Sequence, residues 1–296
     1  MALFELLERP DLDAPVLVLA LDGWIDAGMG AANARAALLS ALSPVTVATF
    51  DSDQLLDHRA RRPTMHLLEG VVTGLTWPSV ELQAASDARG NDVLLLVGAE
   101  PDHAWRAFTR AVVDLAMEFG ARLVVGLGAY PAPVPHTRPA RLAVTASDPT
   151  LATTNLVRAT IDVPAGVQAA IERRAFEHGL PAVGLWAQVP HYLAAMPYQA
   201  ASAVLLDGLA DVAGVHVDSS PLWAEADATR TRVDALIAEN EEHRLMVRHL
   251  EAAVDAEAAD APERPPRTEP GLASGPLPSG DELAAELERF LRDQGS

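Results

Sequence analysis

The stretch "LDGWIDAG" carries two acids four residues apart, Asp22 and Asp26, around Gly23 and Trp24. Three other stretches hold polar groups of a similar kind. "GAEPDHAW" supplies Glu100, Asp102 and Trp105; "VPHTRP" supplies His136 and Arg138; "VPHY" supplies His191 and Tyr192. Carboxylates beside an imidazole suit general acid–base chemistry. Arg138 suits bidentate holding of an anion, so a phosphate or carboxylate ligand fits the set. Each stretch also has a plain structural role open to it. Asp22 with Gly23 fits a strand-to-helix turn, and Asp26 fits a helix cap. Glu100-Pro101-Asp102 can introduce a helix. His136 and Arg138 can pair with nearby acids, and His191 with Tyr192 can simply pack.

The elements that must position these residues read as α/β. Short apolar runs at Val16–Leu21, Val45–Phe50, Val71–Trp77, Asp92–Gly98, Arg122–Leu127, Arg141–Thr145 and Ala182–Gln188 suit strands. Several are continuously apolar, as strands buried on both faces are. Helices are expected at Asp26–Leu42, Asp102–Phe119, Ala165–Glu177 and Pro197–Val212. Alternation of this kind predicts a mostly parallel sheet flanked by helices. The runs "VVTGLTW" and "VELQAA", split by Pro78-Ser79, are expected to form an antiparallel hairpin within that sheet. In such sheets ligands gather beyond the carboxyl ends of the strands. All four polar stretches follow strand ends, so a common rim would bring their side chains together as a pocket.

Composition narrows the chemistry. The chain has no Cys, and its 22 cations are all Arg. Thiol catalysis, thiolate metal sites, Schiff bases and a phosphate-loop lysine are therefore excluded. The net charge of −19 repels phosphate backbones, so no nucleic-acid partner is expected. No G-x-S-x-G, G-x-G-x-x-G or H-E-x-x-H pattern occurs. His243 and His249 lie six apart on one expected helix and do not share a face, and no metal or other cofactor is expected. The acidic opening "MALFELLERPDLD" lacks a targeting pattern, and no apolar run is long enough to span a membrane. A cytoplasmic protein is expected.

The character changes after Pro221. The expected organisation is an α/β core over residues 1–221, a long helix over 222–259, a Pro-rich linker over 260–280 and a closing helix over 281–296. In the long helix Val233, Asn240, Val247 and Val254 recur at one heptad position, with Leu236, His243 and Leu250 at the other. Such a seam serves either self-association or packing back on its own domain.

Together, "LDGWIDAGMGAANARAAL", "GAEPDHAW", "VPHTRP" and "AQVPHYLAAMPYQAASAVLLDGL" resemble the proteasome assembly chaperone 2 (PAC2) family, in its actinobacterial branch. The resemblance runs through residues 1–255 in order. It implies a phosphorylase/hydrolase-like fold, homo-oligomers and a protein partner, and it transfers no catalytic residues. Some archaeal relatives dock on the proteasome through a hydrophobic–Tyr–any-residue C-terminus. This chain has Gly295 where that Tyr would stand. Two functions are therefore expected: a homo-oligomeric assembly factor without catalysis, or a small-molecule binder or hydrolase using the strand-end pocket for a nucleoside, phosphate or carboxylate.

Overall fold

A computed structural model of the chain describes residues 2–23, 25–151 and 162–260. In chain order the strands are β1 (Phe4–Leu6), β2 (Val16–Asp22), β3 (Val45–Phe50), β4 (Thr64–Leu68), β5 (Val71–Thr76), β6 (Val80–Ser86), β7 (Asp92–Ala99), β8 (Leu123–Ala132), β9 (Leu142–Ala146) and β10 (Ala182–Pro190). The helices are α1 (Gly30–Leu42), α2 (Ser52–Leu55), α3 (Trp105–Glu118), α4 (Val167–Glu177), α5 (Gln199–Ala213), α6 (Ser220–Ala238) and α7 (Glu241–Asp260).

Eight strands form one mixed sheet in the order β1-β3-β6-β7-β2-β8-β10-β9. The four central strands β7, β2, β8 and β10 pair in parallel. They are the continuously apolar runs, because helices cover both their faces. β6 is antiparallel to both β3 and β7, so β3 points the same way as the central four. Five of the eight strands thus share one direction, which is the mostly parallel α/β arrangement expected. Alternate residues of each strand feed separate cores. Val16, Val18 and Ala20 of β2 pack with α1 and α5, while Leu17 and Leu19 face α3 and α4. In α3, Phe108, Val112, Leu115 and Ala116 make the buried stripe that their spacing predicts.

Two expectations fail. Val71–Trp77 does not make a hairpin with the run after Pro78. β5 pairs instead with β4, in a separate two-stranded sheet. The turn residues Glu69 and Gly70 both have positive φ, 50° and 83°, which suits a two-residue hairpin turn. β6 is left to fill the place between β3 and β7. The second failure is the single long helix. It breaks between α6 and α7, where the Asn240 carboxamide oxygen accepts from the amides of Glu242 (2.9 Å) and His243 (3.3 Å). Asn240 is therefore a helix cap and not a seam residue. Val233, Val247, Leu250 and Val254 are buried within the same chain, whereas Leu236 is 62% exposed and His243 is exposed.

Residues 1–255 form one compact unit, and 256–296 form a second. Of the second, only 256–260, the end of α7, are described. The Pro-rich stretch after residue 260 and the expected helix over 281–296 lie outside the described residues.

Candidate functional site at the strand-exit edge

The carboxyl ends of β7, β2, β8 and β10 lie on one edge of the sheet, so the four polar stretches leave from a common rim. Backbone bonds tie them together. The Glu100 amide donates to the Asp22 carbonyl, Asp26 bridges to Ala129, and Gly28 exchanges bonds with Ala194 and Tyr198. The side chains, however, separate into three groups, each with its own internal partners. Trp24 lies outside the described residues.

The first group is the turn after β2. Asp22 is exposed and pairs with Arg35 Nη1 at 2.6 Å. Asp26 accepts from the amides of Ala31 (2.8 Å) and Ala32 (2.9 Å) at the start of α1. Burial raises its pKa against the opposing pull of those amides and of Arg35. Gly23 is exposed and contributes no side chain. Gly28, at φ 63°, is a position that requires glycine. A Cβ there would sit 2.8 Å from the Tyr198 Cβ.

The second group follows β7. Glu100 is 7% exposed, and its carboxylate accepts from the Val167 amide at 2.6 Å, fixing the start of α4. Asp102 accepts from the Asp57 amide at 2.8 Å and pairs with Arg61. Partial burial pushes its carboxyl up, but that amide and the guanidinium together hold it below the ordinary range. The Trp105 indole N–H donates to the Pro101 carbonyl at 2.6 Å. These contacts hold the loop after β7 to α2 and α4.

The third group joins the loop after β8 to the C-terminal helices. His136 is 4% exposed. Its backbone N–H donates to the Tyr192 hydroxyl at 3.0 Å, and its Nδ1 lies 2.6 Å from the same oxygen. A hydroxyl that accepts the amide proton gives its own proton to Nδ1. Nε2, 3.0 Å from Asp234 Oδ1, then carries the ring proton and donates it to α6. This assignment follows from the hydrogen-bond network. Burial pushes the Tyr192 phenol up to about 12. Arg138 Nε and Nη2 hold Asp255 at 2.8 and 2.6 Å, and Nη1 reaches Glu251 at 3.2 Å. Thr137 Oγ1 donates to the same Glu251 at 2.5 Å. Paired with two carboxylates, Arg138 holds its proton more tightly than a lone arginine does. His191 is exposed and stands edge-on to Tyr192, ring centres 5.3 Å apart. The Pro-His-Thr-Arg-Pro loop is thus a clip that fastens α6 and α7 to the strand exits.

A shallow surface cleft opens beside this clip, lined by Arg138, Arg141, Gln188, Tyr198 and Val254 among others. Its interior volume is ≈ 10 Å³, about the room one water needs and far below that of usual ligand pockets. Of the candidate residues only Arg138 lines it. The charged partners not expected from the sequence are Arg35, Arg61, Asp234, Glu251 and Asp255. The i,i+4 spacing of Glu251 and Asp255 was a legible signal for a guanidinium partner. Among the described residues, no group of three or more His, Asp or Glu is placed to hold a metal, and no helix is long and apolar enough to cross a membrane.

The molecule is therefore an α/β protein in which α6 and α7 are fastened to the loop leaving β8, and its candidate acids and His136 are committed to internal bonds. The chain belongs to the PAC2 family, whose model matches residues 20–237. It is similar to a Mycobacterium tuberculosis protein of unknown function, Rv2714, at 35% identity and TM-score 0.80, over 87% of this chain and 92% of that one. A Mycobacterium tuberculosis proteasome-assembly chaperone homologue, Rv2125, matches at 31% identity and TM-score 0.73, over 78% of this chain and 99% of that one. A PAC2 family protein from Streptomyces avermitilis matches at 34% identity and TM-score 0.70, over 79% and 99%. No curated protein matches the chain.

Proposed function

We propose that this chain is a homo-oligomeric assembly factor that works by binding protein, not by catalysis. One observation carries the reading. The β4–β5 hairpin exposes Met65, Leu67, Leu68, Val71, Val72, Leu75 and Trp77, with Leu68 67% and Val71 64% exposed. Seven large apolar side chains on one projecting element exceed what a solitary surface leaves in water, and patches of this kind mark association sites. A second copy of the chain is the occupant proposed for that hairpin. The likeness to a proteasome-assembly chaperone homologue supports a protein partner. The clip supports the absence of catalysis, because His136 has no ring nitrogen left for a substrate. Light scattering after size exclusion tests the oligomer: the wild type is expected as a multimer, and the double variant Leu68→Glu, Val71→Glu as a monomer. A monomeric wild type at micromolar concentration would defeat the oligomer.

A second reading is favoured by the cleft, where Arg138 and Arg141 stand beside Gln188. It is a small anion site for phosphate or carboxylate. Thermal shift with phosphate, nucleosides and carboxylates tests it; an unchanged melting point with all of them removes it.

A further inference from the structure

Across the sheet from α1, Gly126 of β8 and Gly184 of β10 stand directly opposite each other in the parallel register. Two facing glycines leave a gap in the surface on which α4 packs. That gap is filled by polar side chains. A Cβ on Gly126 would lie 2.1 Å from Gln168 Nε2 and 2.5 Å from Glu172 Oε1. A Cβ on Gly184 would lie 2.4 Å from Thr145 Oγ1, 2.8 Å from Trp186 Nε1 and 3.2 Å from Glu172 Oε1. One strand step on, Gly128 faces Trp186 and gives its ring room, and the indole N–H donates to Thr145 at 3.1 Å. The sheet thus omits two side chains, at Gly126 and Gly184, so that a carboxyl from α4 can rest on its backbone.

That carboxyl has little to keep it charged. It accepts a hydrogen bond from the Gln168 side-chain amide at 2.9 Å, four residues back on the same helix. Among the described residues, the groups that share the Gly126–Gly184 gap with it are neutral: Gln168, Trp186 and Thr145. The charged residues of α3, which packs on α4, are Arg106, Arg110, Asp114 and Glu118, all exposed. On α4 itself Arg173 pairs with Glu177 in solvent, and Arg174 with His178 on another flank. No cation among the described residues pairs with Glu172. Glu172 is half-buried, and a carboxylate that loses part of its water without gaining a cation is disfavoured relative to its neutral acid.

We propose that Glu172 is a proton-operated seat for α4: as a neutral acid it rests on the Gly126–Gly184 floor, and when ionised it loosens the helix from β8 and β10. The start of α4 is held by Glu100 at the strand-exit rim, so a looser α4 transmits to that rim. The direction follows from linkage. Burial raises the carboxyl from its ordinary 4.5 to about 7. Between these values the folded chain holds a proton that the unfolded chain has lost, so stability falls as pH rises through that window and levels off above it.

The test uses the full chain. Melting of the wild type and of Glu172→Gln, which keeps the shape of the neutral acid, is followed from pH 5 to pH 8. The wild type is expected to lose ground to the variant across that range, by about 5 °C at pH 8. Amide exchange in α4, corrected for intrinsic rate, should quicken in the wild type alone. Parallel melting curves, or α4 amides insensitive to pH, overturn the proposal. Should the variant fail to fold, carbon-13 carboxyl spectra of glutamate-labelled wild type decide. One glutamate titrating near pH 7 supports the seat, and every glutamate titrating below about pH 5 overturns it.

Discussion

The clip around His136 and the β4–β5 hairpin are opposite solutions to the problem of an extension beyond the core. The clip is polar and complete. Tyr192, His136, Asp234, Arg138, Glu251 and Asp255 are all partnered within the chain. The hairpin is apolar and incomplete, with its side chains in water and only its own two strands paired. A buried polar group demands a partner in a fixed direction, so it defines one internal geometry. Exposed apolar area demands only cover, which another molecule supplies as well as the same one. The polar rim therefore reads as architecture, and the apolar arm is the surface proposed for association.

Four changes would break or sharpen this contrast. The largest effect is expected from Leu68→Glu with Val71→Glu, which should collapse the oligomer while leaving the unfolding of dilute monomer nearly unchanged. His136→Ala should do the reverse. It removes a buried ring and takes the acceptor from the Tyr192 O–H, at about 3 kcal/mol in denaturant unfolding, with mass unaffected. Arg138→Ala should follow with a smaller loss, because it removes the guanidinium held between Glu251 and Asp255 while water still reaches both carboxylates. Limited proteolysis should cut that variant between α6 and α7 sooner than wild type. Asp22→Asn should lie within about 0.5 kcal/mol, since the Arg35 pair is solvent-screened. A large loss from Asp22→Asn with a negligible one from His136→Ala would invert the assignment of structural and spare polar groups.

Much of the architecture was legible because burial leaves a mark on single segments. β2, β7 and β8 appear as unbroken apolar runs, and α3 as a stripe at helical spacing. The hairpin was misassigned for a related reason. "VVTGLTW" has the composition of a core strand, and nothing local distinguishes an apolar strand that is covered from one that is not. The break at Asn240 was hidden because a capping Asn and a seam Asn occupy the same heptad position. The described candidate residues lie at strand exits, but their partners lie far away in sequence: Asp234 is 98 residues from His136, and Asp255 is 117 from Arg138.

By itself the sequence determined the α/β alternation, the strand directions at the centre of the sheet, and the exclusion of thiol and lysine chemistry. These depend on periodicity and residue type, which are local or compositional. Only the tertiary structure decided that the imidazole and guanidinium hold helices in place, that one apolar strand faces solvent, and that a carboxyl lies on facing glycines. Each of these depends on which distant group arrives at a given atom, and hydrogen bonding, desolvation and close packing act over a few ångströms regardless of separation along the chain.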